Sequence, residues 1–196
     1  KYDSNRRHDK RIILDILHNL IDPDRTNYDN VHVPESFDWR EKKNVVSSIK
    51  NQLTCASCYA FATVFLLKTL YAWKRKTTEI VEFSSQKITD CSSHNQDYKN
   101  GTFEGSMRFV KKNGGKLATL TSYPYNGTLG SCRTSIVEEI HLGTVQYRSL
   151  EVGNKIILAK ALVLKGLIFI GLDTDSKLFT VYKEDILKIT QSIDWI

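Results

Sequence analysis

The stretch that most constrains this chain is residues 51–62, NQLTCASCYAFA, in which two cysteines precede a long uncharged segment. Cys55 and Cys58 stand three positions apart, and residues 53–67 contain no charge. Small and polar residues that lead into an apolar segment are typical of a helix N-terminus entering a core. A helix that starts near Ala56 places Cys58 in its first turn, where the partial positive charge of unpaired N–H groups favours a thiolate.

With Gln52 included, the stretch has the pattern of a site for a catalytic nucleophile. It precedes Cys58 by six positions, within reach to offer a side-chain N–H to a developing oxyanion. Three other interpretations of the two cysteines stay open at this point: a redox pair, half of a zinc site, or buried thiols that only pack. A zinc site usually needs a second close pair, and Cys91 and Cys132 are 41 positions apart. A thioredoxin-like motif should follow a strand of a βαβ unit, and none precedes Cys55.

Several segments, in order along the chain, resemble the papain and cathepsin family of cysteine peptidases. The cysteine stretch reads CASCY, close to the family signature C-G-[SA]-C-[WY], with Ala56 where the signature has glycine. The other matching segments are 33–40 (VPESFDWR), 50–52 (KNQ), 83–92 (FSSQKITDCS) and 123–125 (YPY), the last followed by Cys132. The resemblance covers roughly residues 33–187.

The resemblance implies an α+β protein with the two-lobe papain-like fold. Residues 1–32 would be an N-terminal extension, a remnant of a propeptide, and residues 33–196 a truncated peptidase domain. A helical lobe around a central helix would cover about residues 40–132, and a partial β-rich lobe about residues 133–196.

By the same resemblance, Cys58 is the catalytic nucleophile and Gln52 the oxyanion donor. Gly101, ten positions after Cys91, matches the glycine whose backbone pairs with the substrate, although a turn glycine within Asn-Gly would read the same way. Peptides or proteins are the implied substrates, and no cofactor or metal is expected.

The resemblance also makes predictions about the remaining cysteines. Cys91 and Cys132 keep the spacing of one family disulfide. The family's second bridge would link the position of Cys55 to that of Tyr98, and a tyrosine cannot form it. Cys55 is therefore expected to be an unpaired thiol.

A peptidase of this family also needs a histidine and an asparagine about 130–150 residues after its nucleophile. Residues 188–196, the part of the sequence inside that window, contain neither. His94 and His141, the histidines downstream of Cys58, stand at offsets that fit the role badly. Three hypotheses follow: a cysteine peptidase whose chain is incomplete here, an inactive homologue that binds peptides or a partner, and a redox or structural protein.

The composition argues against several other classes of protein. The 196 residues are 41% hydrophobic and carry a net charge of +6 from scattered basic residues, without the aromatic-interleaved stripe of a nucleic-acid-binding surface. No uncharged apolar stretch reaches 18 residues, so no membrane span is expected, and a monomer is the simplest expectation. Two glycosylation sequons, at Asn100 and Asn126, agree with a secreted or lysosomal/endomembrane protein.

Periodicity predicts the individual elements. Helices are predicted over 8–20, 57–76, 84–90, 104–112 and 154–164, strands over 141–150 and 167–172, and an extended or turn segment over 179–187.

Overall fold

The computed structural model describes residues 11–17, 28–42, 46–76, 80–95, 101–135, 138–150, 154–171 and 181–183. The helices are α1 (Cys58–Arg75), α2 (Ser85–Cys91), α3 (Phe103–Lys112) and α4 (Lys155–Lys165), with a 3₁₀ turn at Trp39–Glu41. The strands are β1 (Arg11–Leu17), β2 (Lys116–Ala118), β3 (Glu139–His141), β4 (Thr144–Leu150) and β5 (Ile168–Phe169). The predicted α+β class is confirmed.

Helix α1 is the centre of the core, because it is apolar on more than one face. Leu66, Leu67 and Leu70 are almost fully buried, and so are Thr63 and Lys68. The helix ends where Lys76 adopts the left-handed conformation and its N–H donates to the carbonyls of the preceding turn. Side chains from α2, α3 and the strands pack on α1 in one continuous cluster, which includes Ile88, Phe103, Met107, Leu117, Leu142 and Val145.

Helix α2 holds a long loop, residues 121–133, through buried polar side chains. Ser84 caps the helix by accepting from the N–H of Lys87 and donates to the carbonyl of Tyr123. Gln86, 1% exposed, donates to the carbonyl of Thr128 at 2.6 Å. A disulfide between Cys91 and Cys132, with Cα atoms 4.8 Å apart, joins the end of the helix to the end of the loop. The predicted bridge is therefore confirmed.

The N-terminal region forms a strand where a helix was predicted over residues 8–20. Strand β1 pairs antiparallel with β4, from Arg11 opposite Leu150 to Leu17 opposite Thr144, and on its other side with β5. The apolar residues of this segment are mostly isoleucines, whose branched Cβ favours strands. The edges of β4 and β5, both more than 120 positions away in the sequence, are available to pair with this segment. Pairing with them outweighs the helical spacing of its apolar residues.

The other elements differ from prediction mainly at their boundaries. The strand predicted over 141–150 is two strands, β3 and β4, separated at Gly143, which has a positive φ. Strand β5 is shorter than the predicted 167–172, and most of the segment predicted over 179–187 lies outside the described residues. Trp39 Nε1 donates to the carbonyl of Leu162 at 2.9 Å, which fastens the 3₁₀ turn to α4.

Candidate active site

Cys58 is the first residue of α1, and its thiol is free and exposed. The preceding carbonyl, Ser57 O, accepts from the N–H groups of Ala60 and Phe61 at 2.9 and 3.1 Å. Within the described part of the chain, no hydrogen bond uses the N–H of Cys58. The sequence-predicted nucleophile therefore stands at the positive end of a buried helix, with access to solvent.

Gln52 lies in the loop that leads to this helix. Its side-chain Nε2 donates to the carbonyl of Cys55 at 2.9 Å, and its own carbonyl accepts from the Cys55 N–H at 3.3 Å. Leu53 inside the loop has φ of 56°, and the side chain of Asn51 accepts from its N–H. A primary amide carries two hydrogens, so the Gln52 side chain keeps a second N–H for another acceptor while it is held by the first.

Tyr125 links the Gln52 loop to the start of α1, a connection that the sequence did not predict. Its hydroxyl donates to the carbonyl of Gln52 at 2.7 Å and lies 2.9 Å from Ser57 Oγ. Its ring packs edge-on against Phe61, with centroids 4.7 Å apart. Burial raises the pKa of Tyr125, so the hydroxyl keeps its hydrogen at neutral pH. In the sequence, Tyr125 belongs to the YPY segment, which indicated the family resemblance but not these contacts.

Cys55 has a different environment from Cys58. It is free, as predicted, but only 3% exposed, and it adds to the effect of burial in raising the pKa of Tyr125. Tyr98, which stands at the position of its missing family partner, lies outside the described residues. The two free cysteines thus differ chiefly in access to solvent, which matters for any test of their reactivity.

Gly101 lies against the ring of Tyr59, the residue that follows Cys58. A Cβ atom added at Gly101 would lie 2.5 Å from Tyr59 Cε1, closer than real Cβ contacts. Tyr59 follows Cys58 in α1 and is 2% exposed, so its ring has little room to move. The close approach of backbone to ring explains why this position holds glycine.

The other sequence-predicted residues lie elsewhere. His94 is in the turn after α2 and lines a small cavity with Phe109 and Lys112. His141 is exposed at the end of β3, opposite Lys116. Within the described residues, no hydrogen bond joins either histidine to Cys58.

The two glycosylation candidates differ in what the structure says of them. Asn126 is exposed in the loop held by α2, and its side-chain oxygen accepts from the N–H of Thr128 at 2.9 Å. Asn100 is outside the described residues.

An apolar cavity of about 570 Å³ opens between α1 and the residues of and next to β5. The cavity reaches the loop around Gln52, because Asn51, Phe61 and Tyr125 line it. Asn51 is part of that loop, Tyr125 bonds to the Gln52 carbonyl, and Phe61 packs on the Tyr125 ring. The rest of its lining is mainly apolar, including Phe65, Leu120, Leu167 and Phe169. Such a cavity has the size of a ligand pocket and suits large apolar side chains.

The described residues hold neither a candidate metal site nor a helix that could span a membrane. No cluster of three or more His, Cys, Asp or Glu there is arranged to hold a metal ion. No helix there combines the length and apolar character that crossing a membrane would require.

Comparison with known proteins places these features in context. The family model of the papain family cysteine proteases matches residues 33–194. A KDEL-tailed cysteine endopeptidase, CEP2, of Arabidopsis thaliana is 35% identical over 155 residues, or 79% of this chain and 42% of that protein. Vignain of Vigna mungo is 32% identical over 155 residues, or 79% of this chain and 41% of that protein. The chain thus spans about two fifths of the length of these relatives.

A solved structure shows the same similarity. The 2.05 Å crystal structure of the Amb a 11 cysteine protease, a major ragweed pollen allergen, in its proform, aligns with a TM-score of 0.50 and 38% identity. The alignment covers 57% of this chain and 34% of that one.

Proposed function

The chain belongs to the papain family of cysteine proteases and has the α+β fold of that family, and from this premise we propose that it hydrolyses peptide bonds through the thiolate of Cys58. The observation that carries the proposal is the placement of Cys58: an exposed free thiol on the first residue of a buried helix, next to the loop that holds Gln52. Proteins or peptides would be the substrates.

The proposed chemistry follows from these groups. The Cys58 sulfur attacks the carbonyl carbon of the scissile bond, and the C=O electron pair moves to the oxygen. The N–H of Cys58 and the second N–H of Gln52 are the donors available to stabilise that oxyanion. As the intermediate collapses, the C–N bond breaks and an imidazolium protonates the leaving amine. Water then hydrolyses the thioester to release the acid and the thiol.

The imidazole would come from a residue other than His94 and His141. His141 lies at the exposed end of β3 and His94 lines the cavity beside α2, and no hydrogen bond among the described residues joins either of them to Cys58. The relatives are more than twice as long as the matched region, so the part of the protein outside these 196 residues would supply the histidine and its asparagine. An inactive homologue that binds peptides or a partner in the cleft is the alternative.

Substrate contacts can be proposed for two features. The backbone of Gly101, beside Tyr59, would pair with the substrate main chain, and the apolar cavity beside Phe61 would receive a large apolar side chain. The disulfide and the exposed sequon at Asn126 support a secreted or endomembrane location with a glycan at Asn126, and Asn100 is a second candidate acceptor.

The test is turnover of fluorogenic dipeptidyl substrates by the full-length protein, its Cys58→Ala variant and its Cys55→Ala variant. Cys55→Ala is the matched control because it removes the other free thiol of the same loop. We expect Cys58→Ala to abolish turnover, since nucleophile and base act as a unit worth on the order of 10⁶-fold. Cys55→Ala should retain at least a tenth of the wild-type turnover, about tenfold being the largest loss expected for a thiol outside that unit. Full-length protein that binds peptides but has no turnover above Cys58→Ala would support the inactive homologue instead.

A further inference from the structure

The start of α1 differs from that of every other helix that the structure describes. At each of the others the N-cap side chain accepts a hydrogen bond from an N–H of the first turn; these N-caps are Asp38, Ser84, Thr102 and Asn154. Ser57, the N-cap of α1, has a suitable hydroxyl but makes no such bond. Its backbone, with φ of −100° and ψ of 19°, is not in the extended conformation usual for an N-cap.

Two contacts account for this difference: the Ser57 carbonyl accepts from the N–H of Ala60 at 2.9 Å, and Tyr125 bonds to the Ser57 hydroxyl. Ser57 is fully buried, so its hydroxyl needs a partner, and Tyr125 is the partner that the structure shows. The single hydroxyl hydrogen of Tyr125 goes to the carbonyl of Gln52, so the Ser57 hydroxyl donates to the Tyr125 oxygen. The edge-on contact with Phe61 fixes the tyrosine ring on α1.

We propose that Tyr125 is a positioning residue that holds the Ser57 hydroxyl away from the first turn of α1, and thereby keeps the positive end of the helix open to the Cys58 thiolate. This inference rests on the proposed function, since it assigns Cys58 the role of nucleophile. A capping hydroxyl would place an acceptor oxygen over the first turn beside the Cys58 sulfur, and so would offset part of the positive potential that stabilises the thiolate. The same tyrosine bond holds the Gln52 carbonyl, so one side chain aligns both halves of the site.

The experiment measures alkylation of Cys58 by iodoacetamide, quantified on its peptide by mass spectrometry across a range of pH. Four forms of the full protein are compared: wild type, Tyr125→Phe, Ser57→Ala and the double variant. Tyr125→Phe frees the serine to cap the helix, so the Cys58 rate at pH 7 should fall about twofold to fivefold, the range set by a helix-end charge effect. The pH of half-maximal rate should rise correspondingly.

The double variant separates this effect from simple structural damage. Without the Ser57 hydroxyl no cap can form, so Tyr125→Phe with Ser57→Ala should alkylate within about 1.5-fold of wild type, as should Ser57→Ala alone. Tyr147→Phe removes a hydroxyl elsewhere in the core and should leave the rate unchanged; its ring packs on Phe103. A wild-type rate for Tyr125→Phe, or a double variant as slow as Tyr125→Phe, would overturn the inference.

A second variant tests the same inference if Tyr125→Phe folds poorly. Phe61→Leu keeps the tyrosine hydroxyl but removes the ring contact. It should lower the alkylation rate of Cys58 less than Tyr125→Phe does, and adding Ser57→Ala should restore that rate. A lowered rate that Ser57→Ala does not restore would also count against the inference. Because alkylation needs no turnover, an inactive protein that shows the Tyr125→Phe effect would refute only the proposed function. An active protein that lacks the effect would refute only this inference.

Discussion

Replacing Glu82 with Gln should destabilise the protein, because Glu82 is the partner of a buried lysine. Lys68 in α1 has a side chain only 2% exposed, and its Nζ lies 2.8 Å from Glu82 Oε2 and also donates to Ser47. Lys50 contacts the same carboxylate at 3.3 Å from a side chain that is 36% exposed. The glutamate therefore serves one buried and one solvated cation.

The expected cost can be worked from these exposures. Removing one partner of a fully buried ion pair costs about 3–5 kcal/mol, because the other charge stays buried without compensation. The Glu82 side chain is 29% exposed, so solvent already screens part of the interaction. We expect Glu82→Gln to lower the free energy of unfolding by about 2–3 kcal/mol at neutral pH.

The pH dependence follows from the pKa of Glu82. Burial acts to raise this pKa, but the hydrogen bond and charge of Lys68 and the nearby Lys50 outweigh it and hold the pKa below its ordinary value. The folded state thus favours the carboxylate, and its stabilisation is present above the ordinary glutamate pKa and disappears as the pH falls through the lowered one. Wild type and Glu82→Gln should converge in stability in acid.

Urea unfolding followed by tryptophan fluorescence provides the assay, and the two lysines provide the controls. Lys50→Met removes the solvated cation and should cost no more than about 1 kcal/mol. Lys68→Met replaces the buried charge with an apolar chain while Glu82 keeps Lys50, so it should be near neutral or stabilising. A loss under about 0.5 kcal/mol for Glu82→Gln, or equal losses for Lys50→Met and Glu82→Gln, would refute the reasoning.

Three further predictions concern the disulfide and the site. Replacing both Cys91 and Cys132 with Ser should lower the free energy of unfolding by about 3–4 kcal/mol, measured in urea, because the bridge closes a long loop; an unchanged midpoint would contradict this. Gln52→Ala in the full-length protein should lower kcat about 10²–10³-fold with little change in KM, and a KM effect alone would count against an oxyanion role. Gly101→Ala should lower the unfolding free energy by about 1–3 kcal/mol, because the new methyl group meets the ring of Tyr59, and wild-type stability would disprove the contact.

The sequence predicted features that depend on local chemistry. The start of α1 follows from small residues before an apolar run, and α2 lies within the helix predicted over 84–90 apart from its last residue. The pairing of Cys91 with Cys132 came from a family resemblance and not from the residues themselves. All these features are encoded within a few positions of one another or in a recognisable motif.

Features that depend on distant partners could not be predicted in the same way. The isoleucines of residues 11–17 fit a helix or a strand, and the edges of β4 and β5 decide for the strand. No local sequence feature marks Lys68 as buried and paired, because only the folded chain brings Glu82 to it. The bonds from Tyr125 to Gln52 and Ser57 span 73 and 68 positions, beyond the reach of any local pattern.

The division into lobes at about residues 40–132 and 133–196, after an N-terminal extension over 1–32, stays a prediction. Strands β3, β4 and β5 do follow the helices α1 to α3 along the chain. The N-terminal β1, however, lies between β4 and β5 in one sheet, and β2 pairs with β3 across the proposed boundary in another.

The central claim is that Cys58 is the nucleophile, and labelling of the full-length protein by a peptidyl acyloxymethyl ketone tests it most directly. This reagent resembles a substrate and reacts with a thiolate only when its peptide part is bound beside it. Peptide mapping should find the label on Cys58 and none on the buried Cys55, three positions away, and an excess of substrate peptide should suppress labelling. Labelling of Cys55, or of Cys58 at a rate that peptide does not change, would contradict the account.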